Sequence, residues 1–370
     1  MQAVILVGGE GTRLRPLTYG TPKPMVPLFG IPFLERTLGR LKEAGVDDVV
    51  LAAGYLPQAI EDHLGDGSRI GMRVSYVVEA SPLGTAGALK NLADRITESF
   101  FVLNGDVLTS LDLRAMIAFH REHGGVATLH AIRVEDPSAF GCIVRDADGR
   151  IVSFVEKPPR HEAPTNEINA GTYLLERSVL DRIPAGQKVS IERETFPELI
   201  SSGARLVSFV TDDYWLDVGR PEQYLQAHDD VLDRKLELTA SGDLSLSNRG
   251  RMWYVGAIGA PHYVRLPVFI GEGVTIDPSA VVGPYAVIGD RCRIGAGVEI
   301  RDAILWDGVE VGARSRISDA ILASDVRVGS GARVSTGAVI GHGARIAADT
   351  HLEPEARIVA NAETMATPTS

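Results

Sequence analysis

Cysteine is nearly absent: 370 residues hold two, Cys142 and Cys292, far apart and in no C-x-x-C pair. That excludes a disulfide framework or a zinc ribbon and suits a reducing compartment. Long apolar runs are missing as well. None approaches the roughly 18 residues of a membrane span, and the opening run Ala3–Val7 is too short, and lacks the basic start, for a signal peptide. Positive charge is in deficit, with 37 Lys and Arg against 48 Asp and Glu, a net charge of −11 and a pI near 5.4. Such a balance argues against nucleic acid as the main partner, although a local basic cluster could still hold a small anion. These absences lead to the expectation of a cytoplasmic protein that uses neither membrane nor nucleic acid. What is present, 45% hydrophobic and 23% charged residues, is ordinary for a globular chain long enough for two cores.

Two grammars divide the chain. Up to about residue 235, strand-like runs (Ala3–Val7, Val46–Ala53, Arg73–Val78, Phe100–Leu103) alternate with helix-like ones (Pro32–Ala44, Thr85–Arg95, Leu113–His123). That βαβα order predicts an α/β fold with a doubly wound, mostly parallel, Rossmann-like sheet. After residue 262, aliphatic residues recur every six positions from Ile270 to Ile300, pass two five-residue steps at Leu305 and Leu322, and resume to Ile358. Small residues such as Ala280, Ala286, Cys292 and Ala332 stand two positions earlier. A hexapeptide period is the signature of a parallel β-helix, each aliphatic residue filling the interior behind a flat face. The repeat resembles that of left-handed hexapeptide β-helices and gives about five coils at three faces per turn. The expected division is 1–235, a polar linker over 236–262 centred on Thr239–Arg251, a β-helix over 263–360, and a disordered tail from 361 to 370.

The chemistry concentrates in the first half. "GGEGTRLRPLTYGTPKPM", Gly8–Met25, follows the first strand, yet it is neither a G-x-G-x-x-G fingerprint nor a P-loop. Gly8, Gly9 and Gly11 can offer backbone N–H groups to an anion while Arg13 and Lys23 add charge. "NGD", Asn104–Asp106, begins at the carboxyl end of a later strand. In a doubly wound sheet both ends lie on the ligand-binding edge. A carboxylate among cations and phosphates suggests Mg²⁺, which takes one or two carboxylates plus phosphate oxygens, and Asp217 in "YWLDVG" is the candidate second ligand.

Together with "SPLGTAGAL" (Ser81–Leu89), "FVEKP" (Phe154–Pro158), "INAGTY" (Ile168–Tyr173) and "VSIERETFP" (Val189–Pro197), these motifs resemble the nucleotide-sugar pyrophosphorylases, or sugar-1-phosphate nucleotidylyltransferases, over residues 1 to about 235. Within that superfamily the mannose-1-phosphate guanylyltransferases are the most similar, and a β-helix appendage also occurs there. The resemblance implies attack of a sugar 1-phosphate, expected to be mannose 1-phosphate, on the α-phosphorus of a nucleoside triphosphate, expected to be GTP, with pyrophosphate leaving. It assigns catalysis to Arg13, Lys23 and Lys157, and the nucleotide to Gly8, Gly9, Gly11, Thr12, Glu79, Gly84 and Thr85. Gly141, Glu156, Asn169 and Gly171 would bind the sugar, and Asp106 and Asp217 would hold Mg²⁺. Glu79 has a reason of its own: a carboxylate is acceptor-only and pairs with the adjacent N1–H and N2 amino donors of guanine.

Other readings remain open here. A glucose-1-phosphate thymidylyl- or uridylyltransferase would share most of the motifs, and some relatives of this architecture are silent, nucleotide-sugar-sensing or scaffold subunits. Hexapeptide β-helices also serve acyltransferases, with His342 or His351 as candidate base. Against that, assembly into a homo-oligomer is the expected role of the β-helix. The H-x-x-H pair His120 and His123 is read as the polar end of a helix.

Overall fold

The computed structural model describes residues 1–79, 81–238, 252–254 and 264–364. The chain forms two compact units, one of Met1–Gly9 with Thr37–Trp215 and one of Glu10–Arg36 with Leu216–Ser370. Among the described residues no helix is long and apolar enough to cross a membrane.

The first unit is built on nine strands: β1 (Gln2–Val7), β2 (Asp48–Ala53), β3 (Arg73–Val78), β4 (Phe100–Asn104), β5 (Ala127–Arg133), β6 (Gly141–Arg145), β7 (Ile151–Glu156), β8 (Glu167–Leu175) and β9 (Leu206–Val210). Their order is β7-β6-β8-β4-β1-β2-β3, with β5 paired to both β8 and β9. β4, β1, β2 and β3 are mutually parallel, as the βαβα order predicts. Beyond β4 the sheet turns mixed, because β8 enters antiparallel to β4 and β5. Helices α1 (Phe33–Glu43), α2 (Pro57–Leu64), α3 (Gly84–Asn91), α4 (Leu113–His123) and α5 (Phe196–Ser201) fall between strands in the chain. Val4, Val50 and Val102 join a core completed by Ala86 and Leu89 of α3 and by Phe196 of α5. Adjacent residues on the other face, Ile5, Leu51 and Leu103, are buried too. Cover on both faces explains why these strands read as continuous apolar runs rather than alternating ones. The helix over 85–95 is shorter than expected, ending at Asn91 and followed by a separate 3-10 turn at Ala93–Arg95.

In the second unit, strands pair in parallel with residues 17 or 18 positions onward, in the column Ile270, Ile288, Leu305, Leu322, Ile340, Ile358. The two five-residue steps in the repeat are what shorten a coil from 18 to 17. The aliphatic column and its small companions form one interior cluster, as the hexapeptide period predicts. Met252–Tyr254 adds a strand ahead of the first repeat, pairing with Val268–Ile270 inside the expected linker. Linker residues 239–251 and 255–262 and tail residues 365–370 lie outside the described residues, whereas Ala362–Thr364 still hydrogen-bond to Arg345 and Ala347 of the coil before.

One face of this prism departs from the pattern. By strand alternation Phe269, Val287, Ile304, Ile321 and Val339 point away from the interior, yet all five are buried. Helix α6 (Pro221–Leu232) packs against this side, and Phe29 meets Phe269 edge-on with ring centroids 5.2 Å apart. The corresponding outward positions of another face, Arg293, Glu310, Arg327 and Arg345, carry charge, with ion pairs from Glu310 to Arg293 and Arg327 at 3.6 and 3.7 Å.

Candidate active site

In the first unit Gly8, Gly171 and the turn carrying Asp106 lie at the carboxyl ends of β1 and β4. Gly8 follows β1, and a Cβ there would stand 3.6 Å from Gly54, which follows β2. The turn carrying Asp106 is tied to β1 by Gly105 N–H donating to the Leu6 carbonyl at 3.1 Å. Gly171 of β8 lies against that same turn, where a Cβ would stand 2.7 Å from Asn104 Nδ2. The Asn169 amide holds this segment, with Oδ1 accepting from Gly171 N at 3.0 Å and Nδ2 donating to Tyr173 OH at 2.7 Å. Glu156 pairs in register with Gly141. Burial pushes its carboxyl up, opposed by Lys157, whose ammonium is 3.7 Å away.

Around α3, Gly84 has φ +72°, and a Cβ there would meet the Val189 carbonyl at 2.6 Å. Only glycine fits, because the same carbonyl accepts from Ala86 and Gly87 N–H at 3.0 and 3.2 Å. Thr85 Oγ1 donates to Glu192 Oε2 at 2.9 Å and accepts from Ile191 N at 2.8 Å. Ser190 Oγ donates to the same carboxylate at 2.8 Å, and Tyr173 OH reaches its other oxygen at 3.4 Å. Glu192 therefore links Thr85, expected at the nucleotide, with Asn169, expected at the sugar. Its motif, "VSIERETFP", carries no local signal for such a role. Glu79 Oε2 accepts from Leu83 N at 3.4 Å. Its Oε1 is buried with no hydrogen-bond partner, and burial raises the carboxyl above the usual carboxylate range.

The second unit holds Gly11, Thr12, Arg13, Lys23 and Asp217. Gly11 sits at φ +62°, its carbonyl accepting from Leu14 N at 2.9 Å and Thr18 Oγ1 at 2.8 Å. Thr18, fully buried, is thus the clasp of the glycine turn, and a Cβ on Gly11 would stand 3.0 Å from the Lys23 stem. The Arg13 guanidinium lies on the backbone of Gly219, where a Cβ would come within 2.8 Å of Nη2. That close approach places Arg13 beside the segment that carries Asp217. Arg15 pairs instead with Glu10 at 3.0 Å and covers the Tyr19 ring at 5.0 Å.

Three of the histidines weighed for other chemistry are committed elsewhere, while His351 is exposed and forms a backbone bridge to Arg333. His120 bonds Thr128 at 2.7 Å and Glu176 at 3.0 Å, and His123 stacks on Phe119. His342 bonds Thr21 Oγ1 at 3.0 Å.

Residues 2–234 match the family described as Nucleotidyl transferase, and residues 261–352 match the EIF2B subunit epsilon LbH domain. A mannose-1-phosphate guanylyltransferase of Mycobacterium tuberculosis is 39% identical over 309 residues, 83% of this chain and 80% of that protein. Mannose-1-phosphate guanylyltransferase 1 of Arabidopsis thaliana is 38% identical over 306 residues, 81% of this chain and 80% of that protein. A UTP–glucose-1-phosphate uridylyltransferase of Synechocystis is 33% identical over 326 residues, 83% of each chain. Among solved structures, HddC from Yersinia pseudotuberculosis complexed with GMP-PN matches with TM-score 0.54 and 32% identity over 62% of this chain and 99% of that one.

Proposed function

The chain belongs to the nucleotidyl transferase family, and from that premise we propose that it is a mannose-1-phosphate guanylyltransferase, making GDP-mannose and pyrophosphate from GTP and mannose 1-phosphate. The observation that carries this reading is the 39% identity to a guanylyltransferase across 83% of the chain. The sugar-phosphate oxygen attacks the α-phosphorus, the bond from that phosphorus to the bridging oxygen breaks, and pyrophosphate takes the electron pair. The nucleophile is already an anion, so no general base is needed, and rate comes from positioning and charge. Arg13 and Lys23 would neutralise the triphosphate and Lys157 the sugar phosphate. Glu156 and the backbone at Gly141 and Gly171 would read sugar hydroxyls. Thr85 and Asn169, whose side chains are bonded internally, would act by fixing the backbone that lines the site.

Asp106 and Asp217 would hold Mg²⁺. Hard carboxylate oxygens suit that ion. An ion held by one or two carboxylates takes its remaining ligands from phosphate and water. When bound, it would supply charge neutralisation at the phosphates.

The guanine assignment is supported by Glu79. A partly buried carboxylate with one oxygen unpartnered offers acceptors to N1–H and N2–H₂. Uracil and thymine would set carbonyl oxygens beside the same carboxylate, so the uridylyl alternative is less favoured. We further propose a homo-oligomer assembled through the β-helix. The decisive test of the function measures pyrophosphate release with Mg²⁺ over a matrix of nucleoside triphosphates and hexose 1-phosphates. GTP with mannose 1-phosphate should give the highest kcat/KM. A preference for UTP or dTTP would overturn the assignment, and no release with any pair would point to a silent subunit.

A further inference from the structure

The β-helix contains a histidine that is neither part of its interior nor free for chemistry. His342 follows Ile340, the fifth residue of the aliphatic column, and its Nε2 lies 3.0 Å from Thr21 Oγ1. A Cβ on Gly20 would stand 3.8 Å from the ring. The imidazole therefore holds the end of the turn from Leu17 to Thr21. That turn joins Arg13 to Lys23, and its Thr18 clasps Gly11.

The ring is held in its own turn. Trp306, two coils earlier and 5% exposed, meets it edge-on with centroids 5.2 Å apart. The Trp306 indole N–H donates to Tyr224 OH at 3.0 Å, and Tyr224 OH donates to the Pro27 carbonyl. Farther along the same segment, Phe29 N donates to His228 at 3.5 Å and the Phe29 ring rests on Phe269. From Thr21 to Phe29 the segment is thus seated at three points, each ending on α6 or on an outward position of the β-helix.

We propose that His342 is a positioning residue for nucleotidylyl transfer: by clamping Thr21 it fixes the separation and aim of Arg13 and Lys23, with Trp306 as its backing. The repeat domain thereby serves the reaction directly, apart from any part in assembly. The proposal rests on the reading that those two cations meet the triphosphate. Losing a clamp on a charged loop misplaces the charges without removing them, and small misplacements of that kind are expensive in rate.

The test uses the full chain and three variants: His342→Ala, His342→Gln and Thr21→Val. In His342→Ala, kcat should fall by about tenfold or more with the KM for the sugar phosphate little changed. His342→Gln, which can still bond Thr21, should recover most of it. Adding Thr21→Val to His342→Ala should cost little more than either change alone, since both break one contact. A second readout needs no activity: trypsin should cut the Arg13–Leu14 bond faster in His342→Ala than in wild type or His342→Gln, while the melting temperature stays high. Unchanged kcat, unchanged cleavage, or a loss that follows the melting temperature and is not recovered by glutamine would each overturn the clamp. Should the wild-type protein transfer no nucleotidyl group at all, the proposed function fails, and the cleavage rates alone decide whether His342 holds the loop.

Discussion

At the scale of single residues, the two carboxylates and Glu79 carry the sharpest consequences. Asp106→Asn and Asp217→Asn each remove a charge while keeping size and shape. If both hold Mg²⁺ over the phosphates, each should lower turnover by at least about 10²-fold with the fold intact, as steady-state assays and circular dichroism would report. Near wild-type rates in Mg²⁺ from either variant would remove that residue from the metal site. Glu79→Gln asks a finer question. Glutamine keeps an oxygen able to accept from Leu83 N–H but replaces the unpartnered Oε1 with an amide donor. That donor would face the N–H groups of guanine, so GTP use should weaken by roughly 1–3 kcal/mol in transition-state terms, and discrimination against UTP should relax. Equal GTP kinetics in the variant would leave the base to backbone groups. Most of these residues were legible because each sits in a dense, ordered motif. What the sequence hid is how their side chains are spent. Asn169 and Thr85 look like ligand contacts in isolation, but their hydrogen bonds run inward to Tyr173 and Glu192. Glu192 lies over a hundred residues from Thr85, and no local pattern signals so distant a pairing.

Among elements, α6 is the one whose charge balance can be measured. His228 is buried on it, its Nδ1 at 2.9 Å from the Tyr224 carbonyl and its Nε2 facing Phe29 N. That pairing fits the neutral ring donating at Nδ1 and accepting at Nε2. Burial drives its pKa from 6.5 down to about 3. Between those values the unfolded chain binds more protons, so stability is lost as pH falls from about 6.5 toward 3. Its neighbour Asp229 has the opposite sign. Burial, then the nearby Asp302, Asp230 and Asp233, raise it from 3.8 to about 7. The folded state then binds more protons, so this contribution is fully present below about 3.8 and is lost as pH rises through 7. Asp229→Asn should therefore raise the melting temperature relative to wild type at pH 8, with the gain vanishing near pH 4. His228→Gln should flatten the acid limb. A constant offset for Asp229→Asn across that range would show that its carboxylate is not destabilised by folding. Element positions themselves were largely legible: α4 (Leu113–His123) and β3 fall where periodicity puts them. The mixed half of the sheet was not, because strand direction depends on partners that local periodicity does not name.

At the scale of the molecule, the β-helix shows where pattern reading stopped short. The six-residue period identifies the inward position of every strand, and attention to that column conceals the outward one. Triplets such as Val268-Phe269-Ile270, Ala303-Ile304-Leu305 and Ala320-Ile321-Leu322 place a large apolar residue between two inward ones, where the opposing faces place arginine or glutamate. An outward apolar column on a β-helix means that something covers it, and here α6 and the segment around Phe29 do so. A pair of substitutions separates the two kinds of face. Ile321 is 1% exposed, so Ile321→Arg buries an unpaired charge and should cost several kcal/mol, at least about 3, visible as a large drop in the denaturant midpoint. Arg327 is exposed, and Arg327→Ile should change monomer stability by no more than about 0.5 kcal/mol. Assembly through the β-helix has to use a face that is still open, which excludes the Ile321 column and leaves faces like that of Arg293, Arg327 and Arg345. Sedimentation of the wild type should therefore give more than one subunit per particle, and reversing Arg327 and Arg345 to glutamate should shift that mass if this face is the contact. A wild-type particle of one subunit at micromolar concentration would end the assembly proposal, leaving the outward apolar column with a single purpose, to seat α6 and the loop that carries Arg13 and Lys23.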